Sequence, residues 1–405
     1  MLQSTYPSVE TRTSWVVASV VLLVMTVAFG APWIGIVALK NIAAEVNGER
    51  SVPAFAGALM WIGSGLGGIV MGRVAERLGI RFTVIFGAAM IATGLAISTL
   101  GPSWPLYVGH GLFMGFLGIG GINAPFYVYV SQWFDRRRGS ALALISSGSY
   151  LAGALWPPVF ARAIAYAGWR ETMLYFAAFE LFLIVPAALV ALRAPPKVHH
   201  AAAPGAAHEK KTVMGWPPNL VFALQMGAIF TCCIPMSMPQ AHLVALCSDL
   251  GISAAHGAAM VSVLLAAAFM SRQVWGVISD RIGGLYTMLA GSALQAIGMG
   301  AFLLTQDEIG LFTVAALFGL GFSGLVPANV LASRELFPAG DAYWRMPALL
   351  LFSGWGMAGG GWLAGLLYDQ FGYYAPAFAT GLGINVINFL IIGTLALRKR
   401  VAVAV

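Results

Sequence analysis

A single arginine interrupts a long apolar stretch of the sequence. Arg272 lies within residues 254–278, eight positions before Asp280. A helix would separate these two residues by about 12 Å, which places the guanidinium near the middle of a hydrocarbon layer roughly 30 Å thick. A charge at this depth usually faces a cavity or a partner, and a guanidinium can hold a carboxylate through two parallel hydrogen bonds. The position predicts an anion-binding site or, alternatively, an internal salt bridge, for example with Glu180.

Glu180 is the one carboxylate in the middle of an apolar stretch, ten residues into residues 171–193. Burial favours the neutral form of a carboxyl group, so this side chain is a candidate proton carrier. An inert protonated carboxyl group and a pair with another helix are the alternatives.

Other polar and aromatic residues could complete a binding site around Arg272. The candidates are Asn123, Tyr127, Ser147, Tyr150, Trp33 and Trp355. The polar members could donate hydrogen bonds to a carboxylate or hydroxyl group, and the two tryptophans could form apolar walls. Ordinary hydrogen bonding and packing between helices explains the same residues about as well.

A short motif occurs twice, 204 residues apart. Residues 72–79 (GRVAERLG) and 276–283 (GVISDRIG) share the pattern G-x-x-x-acid-Arg-x-Gly. Glycine allows a tight reversal, and an acid with an arginine at a helix end can bridge to neighbouring helix termini. Breaking such bridges would open one side of a cavity, whereas a purely structural turn is the alternative. The predicted gating residues are Gly72, Glu76, Arg77, Gly79, Arg81, Gly276, Asp280, Arg281 and Gly283.

The composition shows what kind of protein must position these residues. The 405 residues are 59% hydrophobic and only 9% charged, whereas soluble domains are about 25% charged. This excludes an ordinary soluble domain and also intrinsic disorder, which requires low hydrophobicity and high charge. The sequence therefore predicts an all-α membrane protein.

Twelve apolar stretches are long enough to cross a bilayer. They are residues 15–39, 53–72, 82–101, 104–133, 140–164, 171–193, 219–246, 254–278, 285–304, 308–333, 346–368 and 373–397.

The cations predict the orientation of these spans. With both termini in the cytoplasm, 17 Lys and Arg residues lie inside, four lie outside (Lys40, Arg50, Arg162 and Arg170), and Arg272 lies within a span. The positive-inside rule then favours cytoplasmic termini. Because most of the +7 net charge is accounted for by this bias, it does not indicate a nucleic-acid partner.

A polar, proline-rich segment divides the spans into two sets of six. We predict an N-terminal half at residues 1–193, a cytoplasmic linker at 194–218 and a C-terminal half at 219–405. Gly168 and Gly372 share the 204-residue offset of the loops, which indicates a duplicated six-helix unit. Parallel repeats of this kind place the binding site near the midplane between the halves.

The linker also contains His199, His200 and His208. We interpret them as solvated linker residues and predict neither a metal site nor a cofactor.

Over its whole length the chain resembles a transporter of the major facilitator superfamily, whose loop signature is the repeated motif. Two further segments resemble the monocarboxylate transporter family. The first is QWFDRRRGSALA at residues 132–143, followed by Ser147-Gly148-Ser149, and the second is FMSRQVWG at residues 269–276. The arginine of the second segment contacts the substrate carboxylate in that family, so the resemblance implies that Arg272 is the carboxylate ligand.

The chain departs from that family, and from the related oxalate–formate exchangers, in ways that leave the coupling open. Many proton-coupled members have an aspartate where this chain has Ala268, and a lysine in the first helix where the nearest match is Trp33. The exchangers use a second cation in the eleventh span, where this chain has Trp355. One buried cation balances one negative charge, so a monocarboxylate fits better than a dicarboxylate.

These observations predict a secondary transporter for a small monocarboxylate, working by proton coupling, exchange or facilitated diffusion. Proton-linked drug or solute efflux and, less favoured, a receptor that does not transport are the alternatives. An intramembrane enzyme would need clustered catalytic groups, which the sequence does not show. The expected setting is the bacterial inner membrane, and the expected working unit is a monomer.

Overall fold

The computed structural model describes residues 10–134, 137–193, 212–338 and 342–404. The regular structure of these residues is helical, apart from one isolated bridge between Val213 and Trp216. The helices of the first part are α1 (Arg12–Ala28), α2 (Ala31–Val37), α3 (Leu39–Ala44), α4 (Ser51–Leu78), α5 (Ile80–Ser98), α6 (Trp104–Val108), a π-helical stretch (Gly109–Ile119), α7 (Gly120–Ser131), α8 (Arg138–Ser146), α9 (Gly148–Ala167) and α10 (Trp169–Ala191). The helices of the second part are α11 (Pro218–Asp249), α12 (Ala254–Ile282), α13 (Gly284–Leu304), α14 (Glu308–Phe322), α15 (Leu325–Leu336), α16 (Ala342–Phe371) and α17 (Ala375–Ala404).

Eleven helical segments of the described residues are long and apolar enough to cross a membrane. Each lies on one of the predicted spans, so the prediction of an all-α membrane protein is confirmed. The predicted span 140–164 corresponds instead to α8 and α9, which are separated at Ser147. Pro157, Pro158 and Arg162 lower the hydropathy of α9. The count of twelve spans remains a prediction.

The loops between the spans lie on two faces. The terminal face contains both described ends of the chain: Glu10 lies 3.8 Å from Arg137, and Lys399 lies 2.7 Å from Glu335. The distal face contains the connection between α3 and α4 and the start of α17, near Asp369. Consecutive spans therefore run in opposite directions between the terminal face and the distal face.

Two seams join the N-terminal part (residues 10–193) to the C-terminal part (residues 212–404). Along one seam α4 packs on α16, and along the other α9 packs on α12. Linker residues 194–211, including the three histidines, lie outside the described residues. The division into duplicated halves therefore stays a prediction.

The repeated glycines adopt one backbone conformation. Gly79 has φ 85° and ψ 158°, and Gly283, 204 positions later, has φ 81° and ψ 165°. Gly168 has φ 87° and its counterpart Gly372 has φ 81°. This region of φ and ψ is essentially restricted to glycine, so the shared offset reflects a shared turn geometry between consecutive spans.

Candidate functional site

Arg272 lies at the seam between α9 and α12, where the two parts of the chain meet. Its Cζ atom is 4.8 Å from the centre of the Tyr150 ring, a distance that allows a cation–π interaction. Tyr150 in turn makes an edge contact of 6.2 Å with Phe322. The guanidinium is half-buried, and the site therefore combines a C-terminal cation with an N-terminal aromatic ring.

The residues on either side of Arg272 fix its position on α12. Ser271 Oγ lies 2.7 Å from Ser323 Oγ, and Trp275 Nε1 donates to the Leu320 carbonyl at 2.7 Å. These bonds tie α12 to α14 at positions just before and one turn after the arginine. The guanidinium is thus presented from a rigid pair of helices.

Tyr127 belongs to the same group, whereas the other polar candidates are less directly involved. Both Tyr127 and Tyr150 lie close enough to Arg272 for an electrostatic interaction with its charge, and Tyr127 also forms a hydrogen bond with the Ser146 side chain. Asn123, one turn before Tyr127, is half-buried. The Ser147 hydroxyl donates to the Ala143 carbonyl at 2.8 Å. Its one proton is thereby used within the helix.

Trp33 closes the seam one turn nearer the distal face. The tryptophan is 7% exposed and packs against Gly153 of α9, where an added Cβ would lie 2.5 Å from Trp33 Cζ2. Leu265 of α12 contacts the same glycine. Arg272, Tyr127 and Tyr150 form one cluster, the Arg272 group. Trp33, Gly153 and Leu265 therefore cover the distal side of this group.

The second tryptophan candidate is placed differently. Trp355 of α16 is 36% exposed, and its ring packs on Phe352 at 5.3 Å between centroids. The same helix contacts α11 at Cys233, whose Sγ is 3.1 Å from Ser353 Oγ. The ring contact of Trp355 is therefore with its own helix, and it does not join this residue to Arg272.

Arg272 has no ion pair with a carboxylate among the described residues. Glu180, the suggested partner, is fully buried, and neither of its oxygens has a hydrogen bond. An ionised carboxylate in such a place would be very costly. The alternative of a salt bridge between Glu180 and Arg272 is therefore not found among the described residues.

The two predicted gating loops lie on the terminal face with exposed charges. Glu76, Arg77, Asp280 and Arg281 are all exposed, while Arg81 donates to the Leu192 carbonyl. Gly72 and Gly276 have no atom within 4 Å of an added Cβ, so neither glycine is required here by close packing.

Sequence reasoning missed several residues that shape this region. Glu335 caps the second loop, because its Oε1 accepts from the Gly284 backbone N–H at 2.9 Å. Ser146, Phe322 and Ser323 support the Arg272 group from neighbouring helices. Serines and phenylalanines are common in membrane helices, so their positions in the sequence did not mark them as functional. Glu335, a lone glutamate at the end of α15, could have been recognised from the sequence.

Comparison with known proteins identifies the family. The chain matches the Major Facilitator Superfamily over residues 20–241, more than half of its length. A fungal protein of Ophiocordyceps sp. (strain BCC 1869), MFS-type transporter 1, is 27% identical over 264 residues, which cover 64% of this chain and 57% of the relative. The chain thus spans little more than half the length of that relative.

Two further comparisons agree with the sequence resemblance. Monocarboxylate transporter 13 of Rattus norvegicus is 25% identical over 308 residues, covering 75% of this chain and 71% of the rat protein. The fold is similar to the crystal structure of a bacterial homologue of the human lysosomal transporter Spinster in an inward-facing and occupied conformation. That similarity has a TM-score of 0.67 and 16% identity, and covers 98% of each chain. The predicted relation to monocarboxylate transporters is confirmed, and the chain belongs to the Major Facilitator Superfamily, a family of multi-pass membrane transporters rather than enzymes.

Proposed function

We propose that the protein moves a small organic monocarboxylate across the membrane by alternating access, with Arg272 as the carboxylate ligand. The observation that carries the proposal is the position of Arg272 at the seam, 4.8 Å from the Tyr150 ring, without a carboxylate partner among the described residues. A single guanidinium fits a single carboxylate in a bidentate pair, and the name of the rat relative supports the same substrate class.

The surrounding side chains would bind the rest of the substrate. Tyr127 and Tyr150 are placed to donate hydrogen bonds from their hydroxyl groups, and Asn123 offers an amide on the same helix face as Tyr127. Trp33 would limit the size of the organic group on the distal side. The Ser147 hydroxyl already donates a hydrogen bond within its own helix, and Trp355 of α16 packs on Phe352. Both residues would contact the substrate at a later stage of the cycle.

The orientation completes the proposal. We infer from the cation distribution that the terminal face is cytoplasmic and the distal face is external, in a bacterial inner membrane. The protein would work as a monomer, because its site is assembled from two parts of one chain. Labelling of exposed cysteines in intact cells, placed on either face, tests the orientation directly.

The substrate is tested by uptake into proteoliposomes. Labelled lactate, pyruvate, formate and oxalate are offered with and without a pH gradient to the wild type and to the Arg272→Ala variant. We expect uptake of a monocarboxylate by the wild type and a loss of at least about a hundredfold in the variant, since several kcal/mol of charge pairing disappear. Unchanged uptake by a correctly inserted Arg272→Ala protein contradicts the proposal. So does uptake of oxalate with a higher affinity than that of the monocarboxylates.

Coupling to protons is a separate proposal, for which Glu180 is the candidate. The carboxyl group is buried without a hydrogen-bond partner, so a proton bound here would have to leave in another conformation. The Glu180→Gln variant keeps the shape and removes the titration. Loss of the pH-gradient effect with retained exchange supports a proton carrier, whereas a retained gradient effect shows that the residue is structural.

A further inference from the structure

Arg50 lies buried at the distal face, between the two parts of the chain. It is the last residue before α4 and only 5% exposed. Its Nη2 atom is 2.6 Å from Asp249 Oδ1, and its Nη1 atom is 2.8 Å from the Tyr374 hydroxyl. Its Cζ atom lies 3.6 Å from the centre of the Tyr368 ring. All three partners belong to the C-terminal part, so this one side chain bridges the two parts by charge, hydrogen bond and stacking.

A second carboxylate holds the start of the same helix. Asp369 of α16 accepts from the Arg50 backbone N–H at 2.7 Å and from the Ser51 backbone N–H at 2.9 Å. The first backbone N–H groups of a helix lack partners within the helix and carry a partial positive charge. Asp369 supplies what α4 lacks, but does so from the other part of the chain.

The helices approach closely at this point. A Cβ added to Gly365 of α16 would lie 3.0 Å from both the Arg50 carbonyl oxygen and the Ser51 Cα atom. Backbone therefore meets backbone, and little room is left for water. Lys40 adds a further bridge, with its Nζ atom 3.0 Å from Asp249 Oδ1.

A histidine orients the tyrosine that Arg50 contacts. His242 Nδ1 lies 2.9 Å from the Tyr374 hydroxyl, and His242 Nε2 lies 2.8 Å from the Gly361 carbonyl. A carbonyl only accepts, so Nε2 is the protonated nitrogen and Nδ1 accepts from the tyrosine. The hydroxyl oxygen then remains free to accept from Arg50, and each group in the chain has a compatible role.

The charge state of this cluster is stable. Burial lowers the pKa of Arg50, but the hydrogen bond and charge of Asp249, with Tyr374, outweigh this and raise it above its ordinary value. Burial likewise raises the pKa of Tyr374, which keeps its hydroxyl protonated. The cluster thus stays a cation bound to an anion and a neutral phenol at any physiological pH.

We propose that Arg50 is a latch that holds the distal side closed, and that its release from Asp249, Asp369 and Tyr374 opens the Arg272 site to the distal side. The inference rests on the proposed alternating access and deepens it. It assigns the closing contact to residues outside the repeated loop motif. Arg50 acts on the accessibility of the site and does not touch the substrate in the closed state.

The test measures the distance between two spin labels across the distal face, without substrate. Labels are attached at Ser103→Cys and Gln306→Cys, two exposed positions in different parts, after replacement of the buried native cysteines. We expect Arg50→Gln to raise the ratio of long to short distances by at least about tenfold, since the ion pair of the buried Arg50 with the partly exposed Asp249 is broken. Asp369→Asn, which keeps the side-chain shape, is expected to shift it in the same direction by less.

Arg170→Gln is the matched control. Arg170 also forms an ion pair on the distal face, but its partner Glu45 lies in the same part of the chain, at 2.5 Å. This variant should leave the label distances unchanged. Unchanged distances in both Arg50→Gln and Asp369→Asn, or an equal shift in Arg170→Gln, would overturn the latch. Because the distances need no substrate, a shift in Arg50→Gln together with absent carboxylate uptake would keep the latch and reject the proposed substrate.

Discussion

The two faces of the molecule contain similar charged residues and use them differently. At the distal face, Arg50 is buried against Asp249 and Tyr374, residues of the other part of the chain. At the terminal face, Glu76 and Asp280 of the repeated loops are exposed. The same kinds of side chain thus bridge the parts on one face and are solvated on the other. This contrast is what a transporter caught with one side closed would show.

The seam beneath the distal face is tightly packed. Gly365 brings α16 into backbone contact with the start of α4, and Trp33 and Leu265 pack against Gly153 on the distal side of the Arg272 group. Because these contacts close the distal side, access to Arg272 is expected from the terminal face in this state.

Among changes at the two faces, the largest loss of uptake is expected where the distal seam is tightest. Gly365→Val inserts a branched side chain between two backbones, so α4 and α16 cannot close at the distal end. Overpacking of this kind costs about 1–3 kcal/mol, and uptake should fall by at least about tenfold. Gly359→Val, on the same helix where an added Cβ meets no atom within 4 Å, is the control. Equal uptake by the two variants would show that the distal approach is incidental.

A smaller loss of uptake, with the opposite shift of the conformational equilibrium, is expected from a change on the terminal face. In the proposed cycle Asp280 forms its bridges only when the terminal face closes, so Asp280→Ala should favour the state described here. Uptake is expected to fall about threefold to tenfold, the loss of one charge-assisted contact, at normal expression. Distal-face label distances should stay short, in contrast to Arg50→Gln. Normal uptake by a normally inserted Asp280→Ala protein would reduce the loop to a structural turn.

Replacing a turn glycine by alanine should lower the stability by a similar amount on either face. Gly79→Ala and Gly168→Ala each place a Cβ at a φ near 85°, which costs of order 1–3 kcal/mol. Thermal unfolding in detergent should show both losses, with Gly72→Ala, in an ordinary helical position, as the control. If only one of the pair were destabilised, the turns would not be equivalent.

The smallest effect is expected from the ion pair that stays within one part. The hydrogen bond from Arg170 lowers the pKa of Glu45, so the pair stabilises the fold at neutral pH and loses this as the pH falls through the lowered pKa. Both side chains are about one third exposed, and the contribution should be below about 1 kcal/mol. The stability difference between wild type and Glu45→Gln should therefore be small at pH 7 and should shrink as the pH falls through the lowered pKa of Glu45. A difference that grows on acidification would contradict this assignment.

The sequence predicted the fold far better than it predicted the closing contacts. The helix bounds follow from apolar length, because a bilayer demands about 20 residues per span. Arg272 was found for the same reason, since a charge at that depth is costly. Arg50 was counted only as an external cation, because its burial depends on Asp249 and Tyr374, some 200 to 320 residues away. Contacts between distant spans are set by tertiary packing, which no local pattern contains.

The central claim is that carboxylate binding at Arg272 and release of the distal latch belong to the same conformational change. The direct measurement is the distance between the labels at positions 103 and 306 while pyruvate is added to the reconstituted protein. In the wild type we expect the carboxylate to increase the population of long distances, and in Arg272→Ala we expect no response to the same concentration. A wild-type protein that takes up pyruvate without any change in distance, or an Arg272→Ala protein that responds as the wild type does, would contradict the account.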